Sequence, residues 1–498
     1  MKKIFHFIIL VGLTSIFTAC YKDPRSIDPA PALVRSGTAN FTKYIAVGNS
    51  LTAGFADGGL YNAGIIGSYP NLLATQFRLA GGGAFVQPLF LDNASNGTPY
   101  RKQVGLPSAT NIPRLFDNAA STANNCGDNN RFVSSPSSYG TLFPLLQPYT
   151  GLPLNNLGVP GIRVSHSKVP SFGRDRAFGL NVFFNHYYER MLNSSNRDFS
   201  YEQYVAAQAS NATFFTCWLG NNDVLTYATS GAPDSPNFLN NMTEESDFRT
   251  NFEAMMGILL AGGRKGVLVT IPYVERAPFF TTVILNGNLQ NPGLRERYLS
   301  NGGEINLTDP STDNDGIWIK AKGGDRIATT GDLFLISSQD NYTTLGTGTI
   351  KYGSKDNPIT DENVLDSGEV ADIKARTDAF NSIISSYNTI LNPNAGQPGQ
   401  PARLPNPNVA VVNINNAVLD QLASSTGFTS FGITYRNTYL QGGAFSTDGI
   451  HLTPAGYAVV ANEIIKATNA RFGSAIPLIN TAGFTGLRIY TSLCESPR

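Results

Sequence analysis

At 498 residues the chain is too long for one minimal domain, yet beyond residue 40 no proline- or serine-rich linker and no run of charge divides it. Its 36 Lys and Arg balance its 36 Asp and Glu, which argues against nucleic acid or any strongly charged partner. Only 14% of residues are charged while Gly, Asn and Ser are abundant, a composition suited to a loop-rich protein outside the cytoplasm. There is no internal repeat and no second long apolar span.

The chain opens with Met1-Lys2-Lys3 and an apolar run over residues 4–17, too short to span a bilayer comfortably. The run ends in Phe17-Thr18-Ala19-Cys20, which resembles a bacterial lipobox, with Phe17 where leucine is commoner. That resemblance implies a lipoprotein signal peptide over 1–19 and lipidation of Cys20; an ordinary secretory peptide with an incidental cysteine is the alternative. Two or more acyl chains hold a protein stably where one is marginal, so Cys20 would be its membrane anchor. Tyr21, rather than aspartate, follows the cysteine and favours the outer membrane, with periplasmic or surface orientation open. Residues 20–40 hold three prolines and scattered charges, the pattern of a tether. Of the other cysteines, Cys217 sits in an apolar run and is expected as a buried thiol; whether Cys126 and Cys494 pair stays open.

The domain from 41 to 498 begins with a short apolar strand at 44–47, and further strands are expected at 154–157, 212–219, 265–272 and 409–414. Such near-continuous apolar runs mark strands buried on both faces of a parallel sheet. Helical spacing covers 247–260 and 368–391, the latter through Val370, Ile373, Phe380, Ile383, Ile384 and Tyr387. A last helix is signalled by Thr453 as N-cap and Pro454 in its first turn, with Tyr457, Val460, Ile464 and Ile465 on one face. Strands alternating with helices predict a three-layer α/β/α domain around a central, mostly parallel five-stranded sheet. Functional groups then belong in the crevice at the carboxyl ends of the strands, and Ser50, Gly161 and Asn222 each follow such an end.

Four short segments carry the chemistry: Gly48-Asn49-Ser50-Leu51, Gly158-Val159-Pro160-Gly161, Gly220-Asn221-Asn222-Asp223 and Asp448-Gly449-Ile450-His451. A serine hydroxyl is a poor nucleophile until a base takes its proton. Of the four histidines, His6 belongs to the signal segment, His186 lies in an aromatic stretch, and His166 has no adjacent carboxylate. His451 has Asp448 three residues before it, on a loop leading into the last helix; that carboxylate can fix the imidazole tautomer and stabilise the imidazolium, or simply shape a turn. A histidine base predicts hydrolysis that falls off in mild acid, as an ordinary imidazole gains its proton. An oxyanion intermediate needs preorganised donors, each worth roughly 3 kcal/mol. The Ser50 and Gly161 backbone N–H groups and the Asn222 amide can supply three.

The ordered set resembles the SGNH (GDSL) hydrolases, whose Ser, Gly, Asn and His correspond to Ser50, Gly161, Asn222 and His451, with Asp448 completing a catalytic triad. The likeness extends over residues 156–161, 218–223 and 445–457, and the whole chain is similar to the exported lipoprotein branch of Bacteroidetes-type bacteria. It implies the SGNH-hydrolase fold and a serine esterase or lipase that needs no cofactor and no metal. One departure stands beside the nucleophile: Asn49 occupies a position where the family usually has aspartate.

Such a core needs roughly 200 residues, so large insertions are expected at about 81–150 and 280–360, the second as a subdomain over the site. Within it Asp313-Asn314-Asp315-Gly316 has a calcium-loop look, but Ser311 and Lys322 break the EF-hand pattern. Residues 176–192, with Phe178, Leu180, Val182, Phe183, Phe184, Tyr187, Tyr188, Met191 and Leu192, present a broad apolar surface. It would wall an acyl pocket, act as a lid, or pack as core. The favoured substrate is an ester of a lipid or another apolar acyl chain; acetylated carbohydrate, or a non-catalytic role binding glycan or lipid at the surface, are the alternatives.

Overall fold

The computed structural model describes residues 33–91, 97–98, 100–101, 103–104, 149–151, 153–173, 185–234, 236, 240–287, 293–303, 305, 316–397 and 400–490. The chain divides into two units, Met1–Leu33 and Val34–Arg498. Cys20 and the lipobox, Cys126, Cys494, Asp313 to Asp315, and positions 176–184 of the aromatic stretch lie outside the described residues.

The second unit is built on a five-stranded sheet of Tyr44–Gly48 (β1), Asn156–Gly158 (β2), Phe214–Trp218 (β3), Lys265–Val269 (β4) and Val409–Val412 (β5). Every neighbouring pair is parallel, in the order β5-β4-β3-β1-β2. The expectation of a mostly parallel sheet is thus met by one that is wholly parallel. Helices follow as Ser50–Ala53 (α1), Tyr69–Leu79 (α2), Tyr201–Ala209 (α3), Asn222–Thr229 (α4), Glu245–Leu259 (α5), Ser367–Ser386 (α6) and Pro454–Phe472 (α7).

Side-chain alternation makes the layers. Ile45 and Val47 of β1 pack with Tyr204 of α3, Phe252 of α5 and Phe380 of α6. Tyr44 and Ala46, on the opposite face, pack with Phe77 of α2 and Ile465 of α7. Both faces are covered, so these strands carry continuous apolar runs rather than alternating ones. Gly158 lets α1 lie directly on β2: a Cβ there would come within 2.3 Å of the Ala53 nitrogen.

Two helix ends repay comparison with the sequence. Thr453 caps α7 as expected, its hydroxyl accepting from the Gly456 N–H at 3.1 Å, with Pro454 in the first turn. The helix expected over 368–391 stops instead at Ser386, and Thr389–Leu391 pairs antiparallel with Arg403–Pro405. Pro393 disfavours helix at Asn392, and the run before it pairs as a hairpin strand.

The long connection between β4 and β5 carries a small core of its own, including Val283, Leu294, Tyr298, Ile319, Phe334 and Val364. These residues fall within or close to positions 280–360. Within residues 81–150, the described Gln103–Val104 pairs in parallel with Ile489–Tyr490. Among the described residues no helix is long and apolar enough to cross a membrane, and no group of three or more His, Cys, Asp or Glu side chains could hold a metal ion.

From β1 the chain steps outward to β2 on one side, then returns to build β3, β4 and β5 on the other. The carboxyl ends of β1, β2 and β3 flank this reversal, where open parallel sheets place their ligand crevices.

Candidate active site

Ser50 is the first residue of α1, immediately beyond β1, and its side chain is largely buried. Its Oγ lies 2.8 Å from His451 Nε2, and His451 Nδ1 lies 2.8 Å from Asp448 Oδ2. An ionised carboxylate only accepts, so Nδ1 carries the imidazole proton and Nε2 is left to accept from the Ser50 hydroxyl. Burial raises the Asp448 carboxyl, but the His451 ring and the hydrogen bonds on both oxygens outweigh it and hold the group well below the usual carboxylate range. Those bonds come from the Gly58 N–H to Oδ2 and from the Ile450 and His451 N–H groups and the Ser446 hydroxyl to Oδ1. The other described histidines sit elsewhere: burial pushes His186 down to about 4, and burial with the nearby Arg163 charge does the same to His166.

The proposed oxyanion donors come from three different strand ends. Ser50 N–H heads α1, where helix geometry leaves it without an intrahelical partner. Gly161 lies in the turn after β2 with φ +79°, a left-handed backbone suited to glycine, and its N–H has no hydrogen bond among the described residues. Asn222 begins α4; its amide spends one N–H on the Ile162 carbonyl at 2.9 Å, leaving the second.

Three residues to which the sequence assigned no role of their own hold this arrangement. The Asn185 amide donates to the Pro160 carbonyl at 2.8 Å. Pro160 C=O and Gly161 N–H share one peptide plane, so Asn185 aims that donor. Asp223 lies fully buried, accepting from the Val164 and Ser165 N–H groups at 2.8 and 3.2 Å and from the Thr243 hydroxyl at 2.7 Å. It ties the start of α4 to the loop after Gly161; burial raises its carboxyl against those bonds. Asp57 accepts from the Thr447 N–H and hydroxyl, both at 2.9 Å, and from the Tyr61 hydroxyl at 2.7 Å. It braces the residue next to Asp448 at a left-handed φ of 55°. The only available hints were an Asp beside Asn222 and an Asp-Gly pair that looks like an ordinary turn.

Asn49, the departure from the family pattern, is completely buried as the N-cap of α1; its Oδ1 accepts from the Leu51 N–H at 3.1 Å. Its Nδ2 has no hydrogen-bond partner among the described residues. Aspartate could make the same cap, so the cap alone gives no reason for the amide.

The described part of the aromatic stretch is core: Tyr188, Met191 and Leu192 pack in the same cluster as Val47. Tyr187 lies edge-on to Phe55, whose ring stands 4.7 Å from that of His451. Beside Ser50 opens an apolar cleft. No described residue of the 176–192 stretch or of residues 280–360 lines it. Cys217 is buried in β3, and burial pushes its thiol up to about 12, which leaves it inert.

Comparison with protein-family models, with curated proteins and with solved structures found no match to this chain.

Proposed function

We propose that the chain is a serine carboxylic-ester hydrolase of the SGNH type, anchored through Cys20 at the cell envelope and acting on lipid or other apolar acyl esters. One observation carries this reading: the unbroken hydrogen-bonded line from Ser50 Oγ through His451 to Asp448. Ser50 attacks the ester carbonyl while His451 Nε2 takes its proton. The oxyanion falls among the Ser50 and Gly161 N–H groups and the Asn222 amide. His451 then returns the proton to the departing alcohol, and water repeats the sequence on the acyl-enzyme.

The direct test is covalent. A fluorophosphonate should add to the purified protein, and peptide mapping should find the adduct on Ser50; p-nitrophenyl esters from acetate to palmitate should be turned over by the same preparation. Folded protein that neither labels nor hydrolyses any of the series would overturn the reading.

The donors can be tested separately. Asn222→Ala should lower kcat by about 10²–10³, with KM changed far less, since the donor is used in the transition state. Asn185→Ala should lower kcat by about 10–100-fold by letting the Gly161 N–H swing, although it touches no reacting atom. Asn185→Ala with full kcat would remove it from the positioning role.

A further inference from the structure

The cleft beside Ser50 encloses about 810 Å³ of empty space, its open mouth included. Its enclosed part is large enough for several waters. Protein interiors seldom leave apolar voids of this size unfilled. Val224 and Leu225 of α4 form one wall, and Val459 and Val460 of α7 another. A third is Val418 and Leu419, on the π-helical turn Asn415–Leu419. That widened turn is held against the chain after β4 by Asn415, whose amide donates to the Ile271 carbonyl and accepts from the Tyr273 N–H.

Ser50, Asn221, Asn222 and His451 belong to the reacting end or lie next to it. The Tyr273 hydroxyl donates to Asp378 and Arg276 Nε donates to Asp420. The side chains of Val224, Leu225, Val418, Leu419, Val459 and Val460 offer no hydrogen bond to a sugar hydroxyl, and an acetyl group would leave most of the space empty.

The esterase reading leaves two moieties to place, the acyl group and the alcohol. The alcohol must leave before water can attack, so it needs an open way out; the acyl group stays bonded to Ser50. Gly161, on the donor side, is exposed, whereas Val418, Val459 and Val460 are buried. Resting on that esterase reading, we infer that this cleft is the acyl site and that the acyl group it takes is an unbranched aliphatic chain of medium length, not acetyl.

The test is chain-length preference and fatty-acid binding in the full-length protein, in the native chain, Val418→Phe and Leu225→Phe. Val418 is core, so Leu225→Phe, at a half-buried position on another wall, guards against a variant that fails to fold. In the native chain kcat/KM should rise about fourfold per added methylene from acetate until the cleft is filled. Either folded variant should cut the octanoate-to-acetate ratio at least about tenfold. Acetate as the best substrate, or a ratio unmoved in both folded variants, would overturn the acyl site. If no ester turns over, titration with octanoate decides: binding weakened by either folded variant keeps the cleft as a fatty-chain site and removes the esterase, and no binding removes the cleft as well.

Discussion

Replacing Ser50 or His451 with alanine is expected to lower kcat by on the order of 10⁵–10⁶, and replacing both should lower it no further. The two side chains act as one device: without the imidazole the hydroxyl keeps its proton, and without the hydroxyl the imidazole has nothing to activate. Ser50→Ala removes one side-chain hydrogen bond from a four-residue helix otherwise held by Asn49 and backbone bonds, so its melting temperature should scarcely move. His451→Ala leaves Asp448 with its bonds from Gly58, Ser446, Ile450 and the backbone of residue 451. Steady-state turnover of one p-nitrophenyl ester by the three variants checks the claim. Losses that add in the double variant, or Ser50→Ala with a tenth of native activity, would take the nucleophile elsewhere.

Asp448→Asn should cost about 10⁴ in kcat for a different reason. Oδ1 faces three donors and Oδ2 faces two, the Gly58 N–H and His451 Nδ1. Whichever way an amide is turned, its NH₂ meets at least one donor. The less crowded placement, at Oδ2, turns Nδ1 into an acceptor and puts the ring proton on Nε2, pointing at Ser50. Stability should also fall, by roughly 3 kcal/mol or more, because a buried, fully bonded charge is lost. The sign of the pH dependence follows from the depressed Asp448 carboxyl. Its contribution is complete above roughly pH 5 and is lost as the pH falls through the folded value, below the ordinary one near 4. The gap in melting temperature between native chain and variant should therefore narrow in strong acid. A gap constant from neutral pH to about pH 2 would contradict the paired, ionised carboxylate.

Much of this architecture was legible because it rests on local rules. Continuous apolar runs place all five strands within two or three residues at most ends, since a strand covered on both faces must be apolar throughout. Thr453-Pro454 fixes the start of α7 because capping is a matter of a few adjacent atoms. The meeting of Ser50 with His451 was read from motif order and from having few histidines to choose among. What escaped is set by contacts distant in sequence. Asn185 aims Gly161 across 25 residues to Pro160, and Asp57 braces the acid–base loop across 390 to Thr447. The cleft is formed by residues of α4, α7 and a π-helical turn that share no pattern in the chain.

Ser50 and His451 stand 401 residues apart in sequence, yet one hydrogen bond joins them. Closing so long a loop is an entropic cost met only after the intervening sheet has assembled, and non-local pairings of this kind form late. The base reaches the serine only when α7 docks across the sheet from the first strand. A chain cut anywhere before His451 lacks the base, and a partly folded one holds the two apart. If the proposed ester hydrolysis is found, its onset during refolding should therefore coincide with formation of the native contact between Ser50 and His451.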